Sequence, residues 1–383
     1  MSSRFAPRPH MIGLPMINRR SLLKYSLAPL AYASGVAAEP EDQRAPHVHD
    51  RIRKEAAEAA LSMRFNGSSD AECREWQKLF HSKLEELLGP YRPPQRWKTT
   101  VEDTVEFDDH KRESLILEAE GHPALPLYLL SPKGRTERRP GIVALHGHGP
   151  LGHDLVAGVD PTPELRRHME EGKFDYGRRL VRRGYVVAVP CFTPFGRRLD
   201  DPKAYGGTDA CGVSFVRMQL LGKVLMAENL RDALWAFELL ARRSDTDAER
   251  IGCVGLSYGG RITMLAAAME PRIKIAVISG ALNVMQERIS IRYSCGAQVI
   301  PGLLKYGDVP EIASLIAPRP ALWEVGTRDS LMVKDWIAPS WKRIRKAYVA
   351  LGAGDSLEMD SFDGAHRWNG DNAYPFLAAL LKP

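Results

Sequence analysis

The chain has 383 residues, 44% of them hydrophobic and 26% charged, which fits a globular protein of one large domain or two small ones. Its net charge of +6 gives little reason to expect an anionic partner. Arg4, Arg8, Arg19, Arg20 and Lys24 lie in residues 1–38 without a single acidic residue, so the rest of the chain carries only +1. That near-neutral body makes no electrostatic case for nucleic acid or an acidic membrane, and no apolar run is long enough to span a bilayer. Five cysteines (Cys73, Cys191, Cys211, Cys253, Cys295) with no CxxC pair exclude a disulfide scaffold, and their odd number leaves one thiol without a partner in the chain.

Residues 1–38 read as an export signal. A basic stretch precedes a moderately apolar run from Tyr25 to Ala38, which ends in the small residues Val36-Ala37-Ala38. Asn18-Arg19-Arg20-Ser21-Leu22-Leu23-Lys24 resembles the twin-arginine export motif, which implies cleavage near Ala38 and a periplasmic or extracellular location. Residues 39–100 read as a helical N-terminal extension. Ser69-Asp70-Ala71-Glu72 has the form of a capping box, Trp76, Phe80, Leu84, Leu87 and Leu88 follow at helical spacing, and Gly89-Pro90 ends the helix.

From residue 101 onward the pattern is that of the main domain. Ser114–Leu117 and Leu125–Leu130 read as antiparallel strands joined by a turn near Gly121. Alternation then sets in: strand 141–146, helix 164–183, strand 185–190, helix 213–242, strand 250–256 and a helix from 258. Strands 273–279, 320–326 and 356–362 follow, with helices from 334 and from 372. The strands Gly141–Leu145 and Tyr185–Val189 are apolar throughout, as when both faces of a sheet are covered. The expected fold is therefore α/β, a mostly parallel central sheet with helices on both faces. Segment 281–317 reads as an insertion that lines or caps the site.

Gly255-Leu256-Ser257-Tyr258-Gly259 stands between a strand and a helix, the context of a nucleophile elbow, where a sharp turn leaves no room for neighbouring Cβ atoms. A serine hydroxyl needs a histidine to take its proton, and the histidine needs a carboxylate to hold its tautomer. In elbows of this kind the chain order is serine, acid, histidine. Of 11 histidines only His366 follows Ser257. Asp329 is the preferred acid, because it follows strand 320–326 at a carboxyl end. Asp335 enters a helix, Asp360 and Glu324 lie inside strands, and Asp363 is too near His366. His146-Gly147-His148-Gly149 closes strand 141–146, so the backbone N–H groups of His148 and Tyr258 are the expected oxyanion donors. His146 and His148 also have a rival reading as a metal-ligand pair, but His153 and His168 complete no recognisable ligand spacing.

Together these stretches resemble the dienelactone-hydrolase-like and acetyl-xylan-esterase-like branch of the α/β-hydrolases. The resemblance runs from about 140 to 370 and includes HGHG, Asp175-Tyr176-Gly177, GLSYGG, Ala317-Pro318-Arg319-Pro320, GTRD and FDGAH. It implies the α/β-hydrolase fold over 101–383 and hydrolysis of an ester, such as an acetylated carbohydrate, without cofactor or metal. Two departures stand out. The nucleophile is serine where dienelactone hydrolases proper use cysteine, and Cys191 follows Pro190 where many relatives have aspartate. A prolyl-oligopeptidase-like serine peptidase is the alternative, although 39–100 is too short for a propeller domain. A metal-dependent hydrolase and a non-catalytic binding protein are more distant readings.

Overall fold

The computed structural model describes residues 47–134, 137–291 and 294–383, so the expected export segment lies outside the described residues. Residues 49–383 form one compact unit. Its strands are β1 (Lys98–Glu106), β2 (His110–Glu118), β3 (Leu125–Pro132), β4 (Arg139–Leu145), β5 (Val186–Pro190), β6 (Thr246–Leu256), β7 (Ile275–Ser279), β8 (Ala321–Gly326) and β9 (Leu357–Phe362). They make a single sheet in the order β1-β2-β3-β5-β4-β6-β7-β8-β9. The first three strands and the β3/β5 pair are antiparallel, and every pairing from β5 to β9 is parallel.

The helices are α1 (Val48–Ala57), α2 (Asp70–Leu88), α3 (His153–Ala157), α4 (Pro163–Glu171), α5 (Tyr176–Val181) and α6 (Ala210–Leu220). After them come α7 (Leu225–Ala241), α8 (Tyr258–Met269), α9 (Met285–Ile291), α10 (Val309–Ser314), α11 (Lys334–Ala350) and α12 (Ala373–Leu381). Successive residues of β4 serve opposite faces. Val143 and Leu145 join a core with α7, α8 and α10, while Ile142 and Ala144 join one with α3, α5 and α12. This two-sided burial explains the uninterrupted apolar strands.

Three expectations needed correction. The single helix expected over 164–183 is two, α4 and α5, separated by Gly172 and by Lys173 at φ 51°. The one expected over 213–242 is likewise two, α6 and α7, broken where Gly222 takes φ 67°. Strand β1 was not anticipated, because Lys-Thr-Thr-Val-Glu-Asp-Thr-Val-Glu is mostly exposed at the sheet edge and carries no apolar alternation.

The N-terminal extension is held by α2. Ser69 caps it through both bonds of a capping box: the Glu72 N–H donates to Ser69 Oγ at 3.4 Å, and the Ser69 N–H donates to Glu72 Oε2 at 2.9 Å. Phe80, Leu84 and Leu88 on its inner face are buried in the main core, each worth about 1.5–3 kcal/mol of transfer free energy.

The order of strand addition reverses around β4: β5 lies on one side of it and β6 on the other. That switch point opens a crevice beyond the carboxyl ends of the strands, where open α/β sheets bind ligands. Ser69 is exposed, and no residue of α2 lines this crevice. Ser69→Ala should therefore lower the unfolding free energy by about 1 kcal/mol in denaturant titration while leaving turnover unchanged.

Candidate active site

The turn after β6 carries the first functional side chain. Ser257 sits between β6 and α8 at φ 63°, ψ −119°, a left-handed backbone that a residue with a Cβ rarely adopts. The flanking glycines make this possible. A Cβ on Gly259 would lie 1.9 Å from the Leu145 carbonyl oxygen, and one on Gly255 would lie 2.4 Å from that of Gly259. At the far end of α8 the Arg319 guanidinium donates to the carbonyls of Ala267, Glu270 and Ile273, a cation placed where the helix dipole favours one.

His366 follows β9 and meets Asp329 from the loop after β8. The imidazole Nδ1 lies 2.6 Å from Asp329 Oδ2, while Asp329 Oδ1 accepts the Leu331 N–H at 2.8 Å. Asp329 is buried, 5% exposed, so its carboxylate is fixed and screened from water. The competing acids have other partners. Asp335 lies in the first turn of α11, Asp360 accepts from the Asn369 side chain at 2.8 Å, and Asp363 faces Arg328 at the surface.

Ser257 and His366 line one cavity of about 320 Å³ together with His146, Gly147, His148 and Tyr176, and with an apolar wall that includes Leu151, Leu155 and Phe174. No hydrogen bond joins the serine hydroxyl to the imidazole, and contacts of this kind commonly tighten only on substrate binding. Gly147 packs directly behind the serine, where an added Cβ would be 3.2 Å from Ser257 Cβ. Among the described residues, neither the His148 nor the Tyr258 backbone N–H donates to another protein group. Among the described residues, none of segment 281–317 lines this cavity. The segment reaches the site from behind, through Cys295 Sγ, 2.8 Å from His148 Nε2.

Several positioning residues were not read from the sequence. Glu324, inside β8, accepts the backbone N–H groups of Asn369 at 3.1 Å and Gly370 at 2.6 Å, clamping the loop that carries His366. Burial pushes its carboxyl above the ordinary range, against the pull of those two donors. Tyr176 donates its hydroxyl to the Leu145 carbonyl and stacks on Trp368 at 4.6 Å, tying the end of β4 to the same loop. Asn229 of α7 donates to the Tyr258 hydroxyl at 2.6 Å and exchanges two hydrogen bonds with the Thr193 backbone.

His146 is buried, and both of its ring nitrogens are occupied. Nε2 accepts the Phe192 N–H at 2.9 Å, which leaves the proton on Nδ1 to be donated to the Gly147 carbonyl at 2.7 Å. The rival reading of His146 and His148 as a metal-ligand pair fails on this geometry. Burial pushes His146 down to about 4, and burial also holds His153 well below its ordinary range.

Both histidines are harder to protonate folded than unfolded, so the unfolded chain takes up protons first as pH falls. Their stabilisation is complete above the unfolded value of about 6.5 and is lost as pH drops toward the folded value. Acidification to about pH 5 should remove roughly 2 kcal/mol through His146 alone. Unfolding free energies across this window should show that slope, and His146→Gln should flatten part of it.

Comparison with known proteins agrees with this architecture. The model of the prolyl oligopeptidase family matches residues 205–286, which include the elbow. YtaP of Bacillus subtilis, a hydrolase by assignment only, is 29% identical over 289 residues, covering 72% of this chain and 89% of its own. An assigned acetyl xylan esterase of Bacteroides fragilis superposes with a TM-score of 0.71 at 18% identity, over 85% of this chain and 84% of that one. A glucuronoyl esterase of Solibacter usitatus gives 0.57 at 16% identity, over 81% and 93%. With its five-strand parallel run β5-β4-β6-β7-β8 extended by β9, its elbow and its crevice at the switch point, the chain has the α/β-hydrolase fold.

Proposed function

We propose that this protein is a serine esterase that hydrolyses a carboxylic ester through an acyl-enzyme. The observation that carries the reading is the shared cavity. A serine held at φ 63° and a histidine held by a buried carboxylate at 2.6 Å open onto the same space. In this reading Ser257 Oγ attacks the ester carbonyl as His366 Nε2 takes its proton. Asp329 keeps the proton of the imidazole on Nδ1 and stabilises the imidazolium as it forms. The N–H groups of His148 and Tyr258 hold the oxyanion, each worth about 3 kcal/mol in the transition state. His366 then protonates the leaving alcohol, and water attacks the acyl-enzyme by the same route in reverse.

Acetyl and other esters of carbohydrates are the proposed substrate class, since the similar structures include an acetyl xylan esterase and a glucuronoyl esterase. A peptidase reading has one observation in its favour, the prolyl oligopeptidase family match across the elbow. Export rests on residues 1–38, whose basic, acid-free composition precedes the polar Glu39-Pro40-Glu41-Asp42. Among the described residues no single helix is long and apolar enough to cross a membrane.

Ser257→Ala and His366→Ala should each lower kcat on aryl and sugar acetates by at least ~10³ with the fold intact by circular dichroism. Asp329→Asn should lower it strongly, whereas Asp335→Asn and Asp363→Asn should not. Turnover of proline-containing peptides in place of esters would transfer the assignment to the peptidase. Changing Arg19 and Arg20 to lysine should leave an active, uncleaved enzyme in the cytoplasm. A trimmed N-terminus outside the cell would instead indicate the general secretion route.

A further inference from the structure

Behind the oxyanion loop, three soft-ligand side chains converge from three separate parts of the chain. His148 comes from the turn after β4, Cys211 from the first turn of α6, and Cys295 from the segment before Gly296. Their ligand atoms all lie within 4.8 Å of one another, with His148 Nε2 and Cys295 Sγ 2.8 Å apart. Cys211 is buried, Cys295 is partly buried and His148 is exposed, so the cluster has a protected floor and one open side. Nothing in the proposed acyl transfer uses either thiol.

We infer that His148, Cys211 and Cys295 form a binding site for a thiophilic divalent cation such as Zn²⁺. Zinc takes Cys₂His sets with Zn–S of about 2.3 Å and Zn–N of about 2.0–2.1 Å, so tetrahedral ligands stand about 3.5–3.8 Å apart. The His148–Cys295 contact is shorter than that spacing, and all three ligand atoms lie within a 4.8 Å limit that admits it. Admitting the ion requires the His148–Cys295 contact to open by less than about 1 Å, a movement within reach of an exposed imidazole. The fourth position faces the open side and is left to water.

Gln298 Nε2 lies 3.7 Å from the Cys295 sulfur. A metal-bound cysteine is a thiolate, so binding releases protons and weakens as pH falls.

Occupancy has a consequence that rests on the esterase reading. His148 packs on Tyr258 at 5.0 Å and on Phe195 at 5.1 Å, and its own N–H is a proposed oxyanion donor. Seating the metal moves the imidazole away from Cys295 and re-aims that N–H, so the ion inhibits hydrolysis.

The test begins with binding, independently of activity. Reduced, metal-free full-length protein is titrated with Zn²⁺ by calorimetry and with Co²⁺ by absorption, where thiolate ligands give a near-ultraviolet charge-transfer band. Wild type should bind one ion and show the band. Cys211→Ser, Cys295→Ser and His148→Ala should each bind at least roughly 100-fold more weakly, as expected for loss of a direct ligand. The exposed His148 side chain makes the third variant safe for folding even if a buried cysteine variant is not. Unaltered binding in all three variants, or no thiolate band, overturns the site. A Cys211–Cys295 disulfide in protein as isolated, with no metal uptake after its reduction, also overturns it. Zn²⁺ should then inhibit ester hydrolysis reversibly in wild type. Binding without inhibition removes only the link to the oxyanion loop, and absence of any esterase activity leaves the binding result standing.

Discussion

The approach of α8 to the end of β4 sets the geometry of everything around it. At Gly259 the backbone passes so close to Leu145 that even a methyl group would collide with the carbonyl oxygen. Because the helix can come this near, the turn before it must be sharp, and Ser257 is left at a positive φ with its side chain at the cavity. A conformation of this kind costs about 1–3 kcal/mol and persists only when packing over-determines it. Here both flanking strands are buried on their two faces, α8 is buried along its whole length, and Arg319 caps its far end. Local strain is thus maintained by a large core.

The other half of the site is held differently. His366 stands on a loop, and loops are mobile unless something fixes their backbone. Asp329 grips the imidazole itself, and three further contacts hold the chain just beyond it. Glu324 accepts two backbone N–H groups, Asp360 accepts from Asn369, and Trp368 is stacked on Tyr176. Buried carboxylates are costly without donors, and both of these have them. Tyr176 also reaches the carbonyl of Leu145, the same residue that Gly259 approaches, so the two halves of the site share an anchor at the end of β4.

Among the described residues, segment 281–317 does not line the cavity but runs across the core instead. Asp308, fully buried, accepts the N–H groups of Met285 and Gln286 and caps α10, which fixes the segment's course across the core. This path brings Cys295 beneath the turn after β4 and beside Cys211, so the segment meets that turn through a cysteine rather than through the cavity wall.

Much of this architecture was legible in the residues alone. Apolar strands without alternation told of a sheet covered on both faces. The glycines around Ser257 told of a turn too tight for side chains, and chain order left His366 as the one histidine after the serine. These are local or ordinal properties, carried by short stretches and by sequence position. The breaks at Gly172 and Gly222 were harder to read, because an apolar face continues across each of them while the backbone turns. Edge strand β1 was hidden because an edge exposed to water needs no hydrophobic pattern. What only the tertiary structure decided is which distant groups meet. Glu324 and Gly370 are 46 positions apart, and His148 and Cys295 are 147 apart. No periodicity records such pairs, since they are fixed by how the strands are ordered and how the loops at their carboxyl ends converge.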